Sequence, residues 1–151
     1  MDLKVQTAAA YSDVFAALQR LNAPYVVVSG MAVVLHGHSR PVFDLDIVVS
    51  SSVAEQNRAM QALMMAGFVS TIMIPPQLAT VFRMFDQAER EVDVFCKYHI
   101  PFKDLWEDSV EIAVGNTVAR VASFENVIRA KRITGRPHDL EDVAGLLKLK
   151  D

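Results

Sequence analysis

Cysteine is almost absent from this 151-residue chain, which contains Cys96 alone. One thiol cannot form an internal disulfide, so the class of small secreted proteins stapled by disulfides is excluded. No apolar run approaches the length of a membrane span, and the start MDLKVQTAAAYSDVF lacks a basic segment followed by an apolar stretch. We therefore expect a protein of the reducing cytoplasm that carries no secretory signal.

The chain also lacks a strong charge of either sign. Its 15 Lys and Arg residues face 18 Asp and Glu residues, which gives a formal net charge of −3. A surface of this charge does not indicate a general affinity for nucleic acid, so any such contact has to be local. The visibly basic stretch, Arg129 to Arg136, is by itself more typical of a solvated helix face than of a ligand site.

What the chain does have is the composition of a compact globular protein, with 52% hydrophobic and 22% charged residues. This length suffices to bury a core but not to hold a catalytic domain plus a large recognition domain. We expect a single domain over residues 1–151.

The most informative block runs from Tyr25 to Val49 and reads YVVVSGMAVVLHGHSRPVFDLDIVV. A β-branched strand at its start turns through Ser29-Gly30 into a short apolar helix, and a second strand follows at Val42 to Val49. The turn exposes the first backbone N–H groups of the helix, and Ser29 can act as its N-cap or donate to a phosphate. Arg40 could add bidentate hydrogen bonds to phosphate oxygens.

The second strand carries Asp44 and Asp46. Because side chains alternate along a strand, both carboxylates project from one face with Cα atoms roughly 6.5 to 7 Å apart, while Phe43, Leu45 and Ile47 point into a core. Such a pair in an apolar strand is costly unless cations lie between the carboxylates, which favours a divalent-metal site. The alternative is a pair of aspartates that simply faces water at a strand edge.

A third carboxylate, Asp93, lies in the run EVDVF, on the same face as Glu91. The polar segment at residues 86–90 predicts a hairpin between Thr80 to Phe85 and Glu91 to Tyr98. If Phe85 pairs with Glu91, then Arg83 lies opposite Asp93 and offsets its charge. Read alone, Asp93 is a surface aspartate of a hairpin; beside Asp44 and Asp46 it becomes a candidate metal ligand.

Periodicity and turn residues predict the remaining elements. We expect helices over Val5 to Leu21 and Val53 to Ala66, a short helix over Phe102 to Ser109, and a hairpin around Gly115-Asn116. Two helices should complete the chain between about residues 123 and 149. The predicted N-caps are Ser12, Ser51 or Ser52, Ser123 and Asp139, and the predicted inward-facing side chains include Met60, Leu63, Met64, Phe102, Leu105 and Trp106.

These residues carry a resemblance to a known family. The pattern resembles the small stand-alone nucleotidyltransferases of the DNA polymerase beta superfamily, including toxin-like AbiEii-type members, and it consists of Ser29-Gly30, Ala32, His36-Gly37, Arg40 and Asp44-x-Asp46. The resemblance implies an α+β nucleotidyltransferase fold, with a mixed β-sheet flanked by helices and a carboxy-terminal helix pair. It departs from the family in the order of the Ser-Gly turn and in Val42, where many members have Thr.

The resemblance also implies roles. Asp44, Asp46 and Asp93 would bind two magnesium ions, and Asp93 could act as general base toward the acceptor. The triphosphate would be held by Ser29, Gly30, Arg40 and Lys131, while Arg136 and Asp139 would form a pair at the junction of the last two helices.

The implied function is transfer of a nucleoside monophosphate from a nucleoside triphosphate to an acceptor hydroxyl on transfer RNA, a protein or a small molecule. A cognate toxin or antitoxin partner is a further expectation. Two alternatives stay open. One is a catalytically silent nucleotidyltransferase fold that serves as a binding or antitoxin module, and the other is a plain α+β structural domain whose acidic strand faces solvent.

Overall fold

The computed structural model describes residues 8–70, 74 and 78–150. These residues form helices α1 (Ser12–Arg20), α2 (Ser29–Leu35), α3 (Val53–Met65), α4 (Phe102–Asp108), α5 (Phe124–Thr134) and α6 (Pro137–Lys148). The strands are β1 (Tyr25–Val28), β2 (Asp44–Val49), β3 (Val69–Ser70), β4 (Val81–Phe85), β5 (Glu91–Phe95), β6 (Val110–Val114) and β7 (Thr117–Val121). The α+β class is confirmed.

All seven strands join one mixed sheet in the order β3-β4-β5-β2-β1-β7-β6. Neighbouring strands are antiparallel except for β2 with β5 and β1 with β7, which are parallel. The β4–β5 hairpin places Phe85 opposite Glu91 and Arg83 opposite Asp93, so the predicted register is confirmed. Strand β2 pairs in parallel with β5, and this pairing places Asp46 opposite Asp93.

Burial of one apolar face stabilises the two central strands β2 and β5. Leu45 and Ile47 of β2 and Val92 and Val94 of β5 have no exposed surface, whereas the aspartates alternate with them on the opposite face. Each such side chain contributes about 1.5 to 3 kcal/mol through removal from water. A one-residue slip of either strand would bury the carboxylates and expose the core residues, so this burial fixes the register.

The carboxy-terminal helix pair is confirmed. Ser123 accepts a hydrogen bond from the Asn126 backbone N–H at 3.0 Å and caps α5, which ends at Gly135 with φ of +61°. Pro137 opens α6. The N-cap of α6 is Arg136, so the prediction of Asp139 as N-cap is wrong; Asp139 lies three residues later and accepts the Arg136 backbone N–H at 3.1 Å.

Three other local predictions are wrong. Phe43 is 85% exposed because β2 begins only at Asp44, so strand alternation does not extend to it. Met64 is 64% exposed because the buried face of α3 runs through Gln56, Ala59 and Leu63. Trp106 is 38% exposed and stacks on Phe102 instead of entering the core.

The predicted helix ends need smaller corrections. Helix α1 has Tyr11 as its N-cap, so Ser12 is its first residue, while Ser52 caps α3 as predicted. The expected helix start at Val5 lies outside the described residues. Within the described part of the chain, every helix is too short or too polar to cross a lipid bilayer.

Candidate active site

Three carboxylates converge on the face of the sheet opposite to the apolar core. Asp44 and Asp46 come from β2, and Asp93 comes from the parallel neighbour β5. One oxygen of each lies within 4.8 Å of the corresponding oxygen of the other two. Strand alternation places Asp44 and Asp46 on one face, as predicted, and the parallel pairing of β2 with β5 brings Asp93 to them.

The protein itself does not neutralise this cluster. Burial raises the pKa of Asp46 to about 7, with further contributions from the charges of Asp44 and Asp93, and a hydrogen bond from Ser29 opposes the rise. Burial also raises the pKa of Asp93 to about 7, helped by its hydrogen bond and repulsion with Glu91. Among the described residues, Oδ1 of Asp46 and Oδ1 of Asp93 are buried without a hydrogen-bond partner.

Arg83 is a cationic side chain close to this cluster of carboxylates. The Arg83 Nε lies 3.6 Å from Asp93 Oδ1 and 3.9 Å from Glu91 Oε2, and its side chain is 65% exposed. These distances are long for ion pairs, so Arg83 offsets only part of the charge of Asp93. The negative charge of the cluster is therefore only partly compensated by Arg83, and a further cation would be favourable there.

The donor set fits a hard divalent cation. Asp44, Asp46 and Asp93 offer only carboxylate oxygens, the donors that Mg²⁺ prefers, and the two orphaned buried oxygens need a positive partner. The same residues supply no sulfur or imidazole, which softer metals favour. Divalent-metal binding by these three side chains is therefore chemically consistent with the structure.

Ser29 lies beside this cluster at the strand-to-helix turn. It begins α2 with φ of +58°, a left-handed conformation uncommon for residues other than glycine. The N-cap is Val28, so the interpretation of Ser29 as an N-cap is wrong. Instead, Ser29 lines the same pocket as Asp46 and Tyr98.

A pocket of about 510 Å³ opens from Ser29 and Asp46 towards the carboxy-terminal helices. Its remaining wall combines aromatic, apolar and basic side chains with two threonines and one aspartate, namely Thr80, Phe95, Lys97, Tyr98, His99, Val127, Ala130, Lys131, Thr134, Arg136 and Asp139. Such a mixture suits a ligand with one apolar, flat part and one anionic part.

Lys131 reaches this pocket within a buried ion network. Its Nζ lies 3.3 Å from Asp139 Oδ1 and 3.1 Å from Asp142 Oδ2, and Asp139 is completely buried. Burial alone would raise the pKa of Asp139, but hydrogen bonds from Arg136 and Thr134 and the charge of Lys131 hold it below its usual range. The predicted junction pair is confirmed, with 2.8 Å between Arg136 Nε and Asp139 Oδ2.

Arg40 belongs to the same network. Its Nε and Nη2 donate to the two oxygens of Asp142 at 2.7 and 3.0 Å. A Cβ added to Gly30 would lie 2.9 Å from the Arg40 Nη2, so Gly30 leaves the space through which this guanidinium passes. Arg40 thus joins the loop before β2 to α6.

The candidate triphosphate residues therefore fall into two groups. Ser29 and Lys131 line the pocket, whereas Gly30 and Arg40 lie outside its wall. Their roles toward a nucleotide stay predictions. Reasoning from the sequence missed Lys97, Tyr98 and His99, which lie two to four residues after the EVDVF strand, and it missed Asp142, which lies one helical turn after Asp139.

The histidines before β2 have structural partners. His36 Nε2 lies 2.7 Å from the Ala122 carbonyl oxygen, and its ring packs edge-on against Phe124. The His38 ring lies so close to Gly145 of α6 that a Cβ there would collide with it. Both contacts fix α2 and the following loop against the carboxy-terminal helices.

No protein-family model and no curated protein sequence matches the chain. Solved structures do match it. The solution structure of the antibiotic-resistance factor ANT(2'')-Ia matches with a TM-score of 0.68 and 14% identity, over 100% of this chain and 86% of the other. A Thermotoga maritima protein assigned as a nucleotidyltransferase matches with a TM-score of 0.68 and 13% identity, over 95% and 93%.

A third structure is that of the lincosamide antibiotic adenylyltransferase LnuA with bound lincomycin, which matches with a TM-score of 0.63 and 14% identity. The match covers 93% of this chain and 95% of the other. At identities this low the likeness concerns the fold alone. Together with the mixed seven-stranded sheet, it shows that this chain has the nucleotidyltransferase fold.

Proposed function

We propose that the protein is a metal-dependent nucleotidyltransferase, which moves a nucleoside monophosphate from a nucleoside triphosphate to an acceptor hydroxyl. The observation that carries this proposal is the convergence of Asp44, Asp46 and Asp93 beside the 510 Å³ pocket. Nucleotidyl transfer needs alignment and charge neutralisation more than a protein nucleophile, and this site offers both.

Each side chain has a role in this proposal. Asp44, Asp46 and Asp93 would hold two Mg²⁺ ions, which when bound neutralise phosphate charge and activate the attacking oxygen. Asp93 lies beside the exposed side chain of Arg83, and in this proposal it accepts the proton of the acceptor hydroxyl.

The nucleotide occupies the pocket. Ser29 binds the triphosphate at the turn, and Lys131 supplies positive charge from the wall. Gly30 and Arg40 support the turn: Gly30 gives space to the Arg40 guanidinium, which would reach phosphate only by leaving Asp142. The aromatic segment at residues 95–99 provides surface for the nucleoside.

The acceptor class is the open part of the proposal. Structural neighbours include a protein in complex with adenylyl-2''-tobramycin, the lincomycin-bound adenylyltransferase and a Megavirus polyadenylate synthase. Acceptors of both kinds, small molecules and RNA, therefore occur on this fold, and protein acceptors are a third class to test. The proposal also includes a cognate toxin or antitoxin as a partner of this protein.

The test is transfer of label from each of four α-labelled nucleoside triphosphates, with Mg²⁺, to total RNA, total protein and a panel of hydroxylated antibiotics. We expect label in one acceptor pool, and a loss of about 100-fold or more in Asp44→Asn because several kcal/mol of charge stabilisation disappear. The matched control is Asp108→Asn, an exposed aspartate at the end of α4.

Transfer by wild type that persists undiminished in Asp44→Asn would overturn the assignment. Absence of transfer, together with absence of a melting-temperature shift on adding nucleotide and Mg²⁺, would instead support the silent binding module. A shift without transfer would keep the nucleotide site and exclude the acceptors supplied.

A further inference from the structure

Asp142 is a buried carboxylate to which the proposed reaction gives no role. It lies on α6, one helical turn after Asp139, and only 3% of its surface is exposed. Burial of a carboxylate is costly, and an apolar side chain of similar size often serves stability as well as a buried ion pair does. The contacts of Asp142 therefore indicate what this carboxylate does.

Asp142 has two cationic partners, which come from different elements of the fold. Arg40, in the loop before β2, donates from Nε to Oδ1 at 2.7 Å and from Nη2 to Oδ2 at 3.0 Å. Lys131, in the last turn of α5, has its Nζ 3.1 Å from the same Oδ2. This carboxylate thus joins three parts of the chain, namely the loop before β2, α5 and α6.

Asp139 also contacts Lys131, but it has a separate structural role. Its Oδ2 accepts the backbone N–H of Arg136 at 3.1 Å and the Arg136 Nε at 2.8 Å, which stabilises the first turn of α6. Its Oδ1 lies 3.3 Å from the Lys131 Nζ. The Asp142 side chain, by contrast, pairs with Arg40 and Lys131, so its contribution lies in holding these two cations together.

The two carboxylates hold the Lys131 ammonium group at the wall of the nucleotide pocket. Lys131 lines the pocket to which Asp46 also contributes, and only 10% of the Lys131 side chain is exposed. An ammonium group has three N–H donors, and Asp139 and Asp142 can accept from two of them. The third can then donate to an anionic group bound in the pocket.

Arg40 restricts the movement of this arrangement. Because its guanidinium contacts both oxygens of Asp142, the carboxylate has little freedom to rotate. The Arg40 Nη2 also lies against Gly30 at the strand-to-helix turn, where an added Cβ would be 2.9 Å away. A lysine that is held in place before the ligand arrives loses less conformational freedom on binding, which favours affinity.

We propose that Asp142 is a positioning residue for nucleotide binding, which is held by Arg40 and in turn holds the Lys131 ammonium group where it meets the triphosphate. This inference rests on the proposed function, since it assigns a role at the same nucleotide pocket. It predicts an effect opposite in sign to simple electrostatics. Removal of the Asp142 charge makes the pocket more positive, which alone would tighten the binding of an anionic nucleotide, whereas loss of positioning weakens it.

The test is a double-mutant cycle of Asp142→Asn and Lys131→Met. Calorimetry measures affinity for the α,β-methylene analogues of the four nucleoside triphosphates in the presence of Mg²⁺. We expect Asp142→Asn to weaken binding about 10-fold when Lys131 is present and less than about 2-fold when it is replaced, because Asp142 acts only through Lys131. Tighter or unchanged binding by Asp142→Asn overturns the proposal, and so does a loss of the same factor in both backgrounds.

The matched control is Asp86→Asn. Asp86 also has a largely buried side chain that accepts from an arginine Nε at 2.7 Å, that of Arg90, but it lies outside the nucleotide pocket. We expect this substitution to lower the melting temperature without changing nucleotide affinity. A loss of affinity in Asp86→Asn equal to that in Asp142→Asn would reduce the effect to general destabilisation and overturn the proposal.

Should Asp142→Asn fail to fold, Arg40→Lys tests the same contacts. This substitution keeps the positive charge beside Asp142 and removes the bidentate hydrogen bonds. We expect binding about 3-fold weaker when Lys131 is present and unchanged when Lys131 is replaced by Met. An equal effect with and without Lys131 would overturn the proposal, because Arg40 would then act on the nucleotide by another route.

The failure of this inference differs from the failure of the proposed function. Wild type that binds none of the four analogues overturns both. Nucleotide binding by wild type that Asp142→Asn does not weaken overturns the role of Asp142 and leaves the proposed function intact.

Discussion

Replacing Asp46 by Asn should stabilise the protein in the absence of metal, and the gain should depend on pH. The pKa of Asp46 is about 7 in the folded protein against 3.8 for an unperturbed group. Between these values the folded state holds more protons than the unfolded state, so stability falls as pH rises from about 4 to 7. At about 1.36 kcal/mol per pKa unit, an isolated group would cost about 4 kcal/mol at pH 8.

The neighbouring carboxylates make the expected free-energy cost of Asp46 smaller than that of an isolated group. Asp44 and Asp93 share the repulsion with Asp46, so the cost belongs to the group of three, and an Asn amide must find its own partners in a site made for carboxylates. We expect Asp46→Asn to raise the free energy of unfolding by about 2 kcal/mol at pH 8 and by less than about 0.5 kcal/mol at pH 4.

The assay is urea unfolding of wild type and Asp46→Asn in EDTA at both pH values, with Asp108→Asn as the control for an exposed aspartate. Acid-sensitive groups elsewhere, such as Asp139, titrate equally in both proteins and cancel. An Asp46→Asn variant that is less stable than wild type at pH 8, or a difference that is the same at both pH values, would refute the reasoning.

Three more outcomes follow from the same geometry. Mg²⁺ at about 100 times its dissociation constant should stabilise wild type by about 2.7 kcal/mol and leave Asp46→Asn unchanged in thermal melts, whereas equal shifts would place the ion elsewhere. Arg40→Ala should cost about 2 kcal/mol in urea unfolding because Asp142 is 4% exposed at its side chain, against less than about 0.5 for the exposed Lys103→Ala; equal costs would contradict the network. Ser29→Gly should be about 1 kcal/mol more stable than Ser29→Ala, since only glycine adopts φ of +58° freely, and the reverse order would contradict the strained turn.

The part of the site that could be predicted from the sequence is the part governed by strand alternation. Asp44 with Asp46, and Asp93 opposite Arg83, follow from a period of two and from a short polar hairpin connection. The parallel pairing of β2 with β5 joins segments separated by a helix and two strands, and no local pattern specifies it.

The other residues of the site could not be predicted, because strand or helix periodicity does not determine their positions. Tyr98 lies three residues beyond the end of β5, where no periodicity shows which way its ring points. Phe43 precedes the first residue of β2, so the alternation assigned to it did not apply. Lys131 lies on a basic helix turn that resembles a solvated face, and its burial depends on two aspartates of the next helix, a tertiary effect.

The ion network explains why the carboxy-terminal helix pair belongs to the site. Three cations, Arg40, Lys131 and Arg136, pair with two carboxylates, those of Asp139 and Asp142, so this network carries one excess positive charge, and both Lys131 and Arg136 line the pocket. The opposite end carries the under-neutralised aspartates. A ligand that satisfies both ends must be anionic where it meets the helices and must bring cations where it meets the sheet. A nucleoside triphosphate with divalent metal meets both requirements, and a protein partner without metal would leave the buried oxygens of Asp46 and Asp93 unpaired.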